Sequence, residues 1–83
     1  MNYEVVLSLD AVEDVLRITM ESASKTHVLS ASKQIQEALR FDPTAAGEHL
    51  SEGLYFIDRE QLRAFFTIDV AQMLVEIVNV KQL

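Results

Sequence analysis

Leu62–Asp69, LRAFFTID, with the run Met73–Val80, MLVEIVNV, just beyond it, decides how this chain folds. Leu62, Ala64, Phe66 and Ile68 alternate with Arg63, Phe65, Thr67 and Asp69, the period of a strand with one buried face. That face is wholly apolar. The other carries one cation, Arg63, beside an aromatic ring and two polar groups, so any chemistry is expected there. The second run is apolar on both faces, which predicts a central strand covered by helices on one side and partly on the other. Strict alternation puts its Glu76 and Asn79 on opposite sides, and the face assignment stays open.

Upstream, Leu54–Ile57 is a short apolar strand, and the charged turn Asp58–Gln61 folds it back onto Leu62–Asp69 as a hairpin. Val70–Gln72 supplies the next turn. Thr44–Gly53 is polar, holds both glycines and reads as a loop. Before it, about His27–Phe41 is a helix burying Val28, Ala31, Ile35, Ala38 and Leu39. Pro43 stops that helix by forcing Asp42 out of the helical region. A first helix is expected from Ala11 to Ser22 or Ala23, with Asp10 as N-cap and Glu13 completing an acidic capping box. Its predicted buried stripe is Val12, Val15, Leu16, Thr19, Met20 and Ala23, with Glu13, Asp14, Arg17 and Glu21 in water and Arg17 paired with Glu21. The connector Ser22–Thr26, with Ser24 or Thr26 capping the second helix, is short enough to make the helices antiparallel neighbours. Tyr3–Leu9 alternates and opens the chain as a strand.

The order β-α-α-β-β-β gives an α+β fold: two antiparallel helices packed on one face of a small four-stranded antiparallel sheet, the other face bare. At 83 residues, residues 1–83 form a single domain. With no cysteine, packing must hold it, and neither disulfides nor thiolate metal sites are expected. No apolar run is long enough to span a membrane, and MNYEVVLSLD has no basic flank or cleavage site, so a soluble cytoplasmic domain is expected. A net charge of −6 works against nonspecific nucleic-acid binding.

Four segments carry a resemblance: the opening strand YEVVLS with its acid-capped helix, the helix end ALRFDP, the loop AAGEHLSEGL, and LRAFFTID followed by LVEIVNV. In this order and spacing, across nearly the whole chain, they resemble the RelE/ParE superfamily of toxins from type II toxin–antitoxin pairs. The resemblance implies a toxin restrained by an antitoxin protein that wraps it, acting through mRNA cleavage at the ribosome or by binding a target such as DNA gyrase. It implies no cofactor and no metal. In the family's nucleases, basic residues on the open sheet face hold the RNA backbone and stabilise charge at the cleaved phosphate. Arg63 matches the strand arginine of that pattern, and Lys81 falls near a family position usually filled by Arg. The pattern is departed from at Leu54-Tyr55-Phe56, where many members have an Arg, and no Tyr or His follows the last strand within this sequence.

Each candidate has a plainer alternative. Arg63 is a phosphate clamp or a salt-bridge partner of Asp58, Asp69 or Glu76; Lys81 is its helper or a solvated charge. Tyr55 and Phe65, with Arg59 beside them, form an aromatic binding shelf or ordinary cross-strand packing. His49, between Glu48 and Glu52, is an acid–base candidate or a solvent-facing loop residue. A chain without a working site would be a protein-interaction module, with a homodimer as one form of it.

Overall fold

A computed structural model describes residues 2–83. The elements follow in the order β1 (Glu4–Leu7), α1 (Leu9–Glu21), α2 (Lys25–Phe41), α3 (Pro43–Ala46), β2 (Glu48–Ser51), β3 (Leu54–Arg59), β4 (Leu62–Asp69) and β5 (Leu74–Gln82). The strands make one five-stranded sheet in the order β1-β5-β4-β3-β2. Helices pack on the sheet, so the α+β layering matches the sequence reading. Two features of the expected sheet are corrected. It is mixed, because β1 runs parallel to β5, with Val5 opposite Val75 and Leu7 opposite Ile77. It also has five strands, because the stretch read as a loop holds one helical turn and an edge strand paired with β3.

Leu62, Ala64 and Phe66 of β4 are buried as their alternation predicts, and they meet Ile57 of β3 and Val75, Ile77 and Val80 of β5 in one core. The helices contribute Ala11 and Ile18 from α1, and Val28, Ala31, Ile35 and Leu39 from α2. The α2 stripe is as expected, and Ser24 is its cap residue, without a side-chain cap bond. The last turn of α3 brings Gly47 against Phe66, where a Cβ would lie 2.4 Å from the ring. Only glycine lets the chain pass this close to the core aromatic.

α1 departs from expectation. Its N-cap is Ser8, whose Oγ accepts from the Ala11 amide at 3.1 Å, and Asp10 lies in the first turn. The helix therefore starts two residues early and shows the sheet a different face. Ala11 and Ile18 are buried, whereas Leu9, Val12, Leu16 and Met20 are exposed. Asp14, expected in water, points at β5, and Arg17 pairs with Asp14 at 3.3 Å instead of with Glu21.

A bulge resolves the open face assignment in the last strand. Phe65 pairs with Asn79 but Phe66 pairs with Ile77, so Val78 is an extra residue. The extra residue shifts the alternation by one. Glu76 lies opposite Thr67 and Asn79 opposite Phe65, so both fall on the side of the sheet away from the core. The backbone groups that the bulge and the end of β1 leave unpaired are taken by α1. Ser8 Oγ donates to the Val78 carbonyl at 2.8 Å, and the Val80 amide donates to Asp14 Oδ2 at 2.9 Å.

Candidate functional site

The side of the sheet away from the core presents Arg63, Phe65, Thr67 and Asp69 of β4 with their partners on either hand. Arg63 lies between Asp58 of β3 and Lys81 of β5 in one cross-strand row. The next row holds Glu48, Phe56, Phe65 and Asn79. The two-residue turn Glu60-Gln61 sets this register, because it pairs Arg59 with Leu62 and everything after follows. Arg63 and Lys81, singled out separately in the sequence, are thus brought side by side.

Arg63 has a partner. Its Nε and Nη2 donate to the two carboxylate oxygens of Asp58 at 2.7 and 2.8 Å. Its guanidinium carbon also sits 4.3 Å from the centre of the Phe56 ring. A flat cation held edge-on by a carboxylate and face-on by a ring has its orientation fixed twice. This is the salt-bridge alternative, and Asp58 is the partner among the three considered. Neither Phe56 nor Asp58 carries a mark of a site residue in its immediate sequence. The turn length could have revealed both, since a two-residue turn puts Asp58 across from Arg63.

The proposed aromatic shelf is not formed. Phe65 lies on the open side against Phe56, but Tyr55 pairs with Phe66 and so lies on the core side. There it stacks on Phe66 with ring centres 5.7 Å apart, and the His49 ring meets it edge-on at 5.2 Å. Arg59 pairs with Leu62, also on the core side, and its Nη1 donates to the Asp58 carbonyl at 2.8 Å. His49 is therefore separated by the sheet from Arg63 and Lys81, while Glu48 beside it faces the other way. Among the described residues, no three His, Asp or Glu side chains are grouped to hold a metal ion.

The electrostatics follow from this row. Hydrogen bonding from Arg63 holds the Asp58 carboxyl below its usual range, with partial burial opposing and Lys81 and Arg59 adding to the attraction. Arg63 is in turn held more firmly charged, chiefly by its bonds to Asp58. A general base works best with a pKa near the operating pH. Here the one carboxylate among the cations has been made a weaker base than an ordinary aspartate. Across the open face, among the described residues, Glu4, Glu48, Asp58, Asp69 and Glu76 stand against Arg63 and Lys81, five carboxylates to two cations.

Comparison with known proteins gave no matching family model and no matching curated sequence. Solved structures do match. A chain of the toxin–antitoxin complex RelBE2 from Mycobacterium tuberculosis superposes with a TM-score of 0.84 at 19% identity, covering 100% of this chain and 93% of that one. A chain of the chromosomal ParDE system of P. aeruginosa gives 0.72 at 15% identity, covering 98% and 96%. The isolated E. coli RelE toxin gives 0.65 at 17% identity, covering 96% and 83%. That last structure contains the toxin alone, which puts the likeness on the toxin side. The fold is RelE/ParE-like.

Within this RelE/ParE-like fold the open face carries an arginine already engaged by Asp58 and Phe56. No helix among the described residues is long and apolar enough to cross a membrane.

Proposed function

We propose that this chain is the toxin-side component of a toxin–antitoxin pair, and that it acts on its target by binding, without cleaving RNA. The observation that carries the second half is the Asp58–Arg63 pair: the fork that would grip a phosphate is closed on a carboxylate at 2.7 and 2.8 Å. A phosphate entering there must displace Asp58 and meet a face rich in carboxylates, and Arg63, held more firmly charged by Asp58, cannot take up a proton at neutral pH. The first half draws support from the likeness to toxins, two of them solved within toxin–antitoxin systems.

Inducing the chain alone in a bacterial host, with mRNA integrity followed by primer extension, tests the reading. Growth arrest with intact transcripts, unchanged by Arg63→Ala, is the expected result. Arrest with transcripts cut at defined sites and relieved by Arg63→Ala would replace it with the nuclease reading, Arg63 clamping phosphate and Lys81 assisting. Unaffected growth would leave the chain an interaction module built on a toxin fold.

A further inference from the structure

The β4–β5 register sets two cations directly opposite each other. Arg63 pairs with Lys81, and Asp58 of β3 flanks Arg63 on its other side. Like charges across from one another on neighbouring strands are destabilising, and an anion lying against both relieves the repulsion. Asp58 does so on one side only. Both its oxygens are taken by Arg63, at 2.7 and 2.8 Å, whereas among the described residues Lys81 has no carboxylate within ion-pair distance. The carboxylate also stands where a phosphate would. Carboxylate and phosphate oxygens meet a guanidinium in the same way, through two parallel N–H···O bonds. The Phe56 ring, 4.3 Å from the guanidinium carbon, keeps the fork turned toward that position. The pair is reached from solvent: the Arg63 and Asp58 side chains are 30% and 39% exposed, and Asp58 borders an open cleft of about 190 Å³ with Glu48, Phe56 and Arg59.

We infer that Asp58 is the specificity-determining residue of the open face, a built-in stand-in for a phosphate oxyanion that masks an otherwise formed Arg63–Lys81 site. The inference rests on the proposed absence of RNA cleavage and says which residue imposes it. The other parts a phosphate needs are in place: a fork of fixed orientation on Arg63, and beside it Lys81 as a point charge. Two other accounts of the closed face differ from this one. General acidity would repel phosphate through Glu4, Glu48, Asp69 and Glu76 as well, but among the described residues Arg63 bonds to none of them. Repulsion between exposed charges is screened by salt and fades with distance, whereas a filled fork excludes its competitor by contact. A purely structural pair would, on losing Asp58, lower stability and create no ligand site.

The test titrates the full chain with inorganic phosphate, read from backbone amide shifts along β3, β4 and β5, and with a labelled single-stranded oligoribonucleotide, read by fluorescence anisotropy. Asp58→Asn and Asp58→Ser, two variants so that misfolding of one does not decide the matter, are expected to bind phosphate about tenfold or more tighter than the parent. Arg63→Ala added to Asp58→Asn should remove the gain, and Lys81→Ala should remove part of it. Glu76→Gln takes a charge off the same face without freeing the fork, and should stay within about twofold of the parent. A gain for the free ion alone assigns the site to small phosphates, and a gain for both probes assigns it to an RNA backbone; either supports the inference. No gain in a folded Asp58 variant, a gain that persists without Arg63, an equal gain from Glu76→Gln, or a parent that already binds as tightly as Asp58→Asn would each overturn it. Growth arrest is read separately. Toxicity with intact transcripts and no gain from Asp58→Asn would leave the proposed function standing and remove only the mask, and a gain without toxicity would do the reverse.

Discussion

Asp14 Oδ2 accepts the Val80 amide at 2.9 Å, although the two residues are 66 apart in sequence. The contact makes α1 part of the sheet's hydrogen bonding, because the bulge at Val78 and the end of β1 leave that amide without a strand partner. Removing the carboxylate in Asp14→Ala strands the amide under the helix. A loss of about 1–3 kcal/mol in urea unfolding is expected, the usual cost of leaving a buried donor unsatisfied.

The same carboxyl makes stability depend on pH. Partial burial is the largest single influence on Asp14 and would raise its pKa. The bonds from Val80 and Asn79, with Arg17 nearby, together outweigh it and hold the carboxyl below the ordinary aspartate range. Asp58 is lowered too, by Arg63 first. A carboxyl depressed on folding contributes stability that is complete above its unfolded pKa and is lost as pH falls through the folded one. Unfolding free energy should therefore be flat near neutrality and fall below about pH 4. Asp14→Ala should fall less steeply over that window, and parallel acid profiles would show that Asp14 is not depressed.

Two positions on α1 that differ by only two residues should behave oppositely. Ile18 is 3% exposed and Leu16 is 58% exposed. Ile18→Ala should cost about 2–5 kcal/mol, as buried large-to-small changes do. Leu16→Gln should stay within about 0.5 kcal/mol of the parent by thermal melting.

Gly47→Ala drives a Cβ into Phe66, with 2.4 Å to Cζ and 2.8 Å to Cε1, while the Phe56 carbonyl closes the other side at 3.0 Å. Overpacking of this kind costs about 1–3 kcal/mol. In a double-mutant cycle, Phe66→Leu should recover part of that loss, giving a coupling above about 0.5 kcal/mol. Strict additivity would mean the chain moves aside instead of the ring.

The Asp58–Arg63 geometry predicts a spectroscopic signature. The Arg63 Nε proton should exchange slowly and give a resolved NMR signal near neutral pH. Asp58→Asn should shift it and speed its exchange, while Lys81→Ala should change it little. A signal indifferent to Asp58→Asn would show that the pair does not persist in solution.

What the sequence disclosed depended on whether one apolar pattern competed with another. In β4 and α2 the apolar residues form a single stripe, and the buried set follows from it directly. α1 has Ala11, Val15 and Ile18 along one line and Leu9, Val12, Leu16 and Met20 along another; a stripe of Val12, Val15, Leu16, Thr19, Met20 and Ala23 draws on both, so Val15 packs against the core while Val12, Leu16 and Met20 face outward. Bulk did not decide, because Ser8 Oγ and Asp14 tie α1 to β5 through polar contacts whose partners lie some seventy residues away. The bulge was invisible for the same reason, since an extra residue in a strand leaves no local mark in an apolar run. Arg63 and Lys81 could be picked out one by one, but their adjacency needed the β4–β5 register, and the separation of Tyr55 from Phe65 needed the hairpin register.

The pairing of β1 with β5 sets an order of events during synthesis. The edge strand made first can be seated only after residues about seventy positions later have emerged, a non-local closure that is intrinsically slow. Until then the helical hairpin waits with the inner line of α1 as bare as the outer one. During that interval the nascent chain displays apolar surface that the closed sheet later hides, and the arrival of β5 ends the exposure.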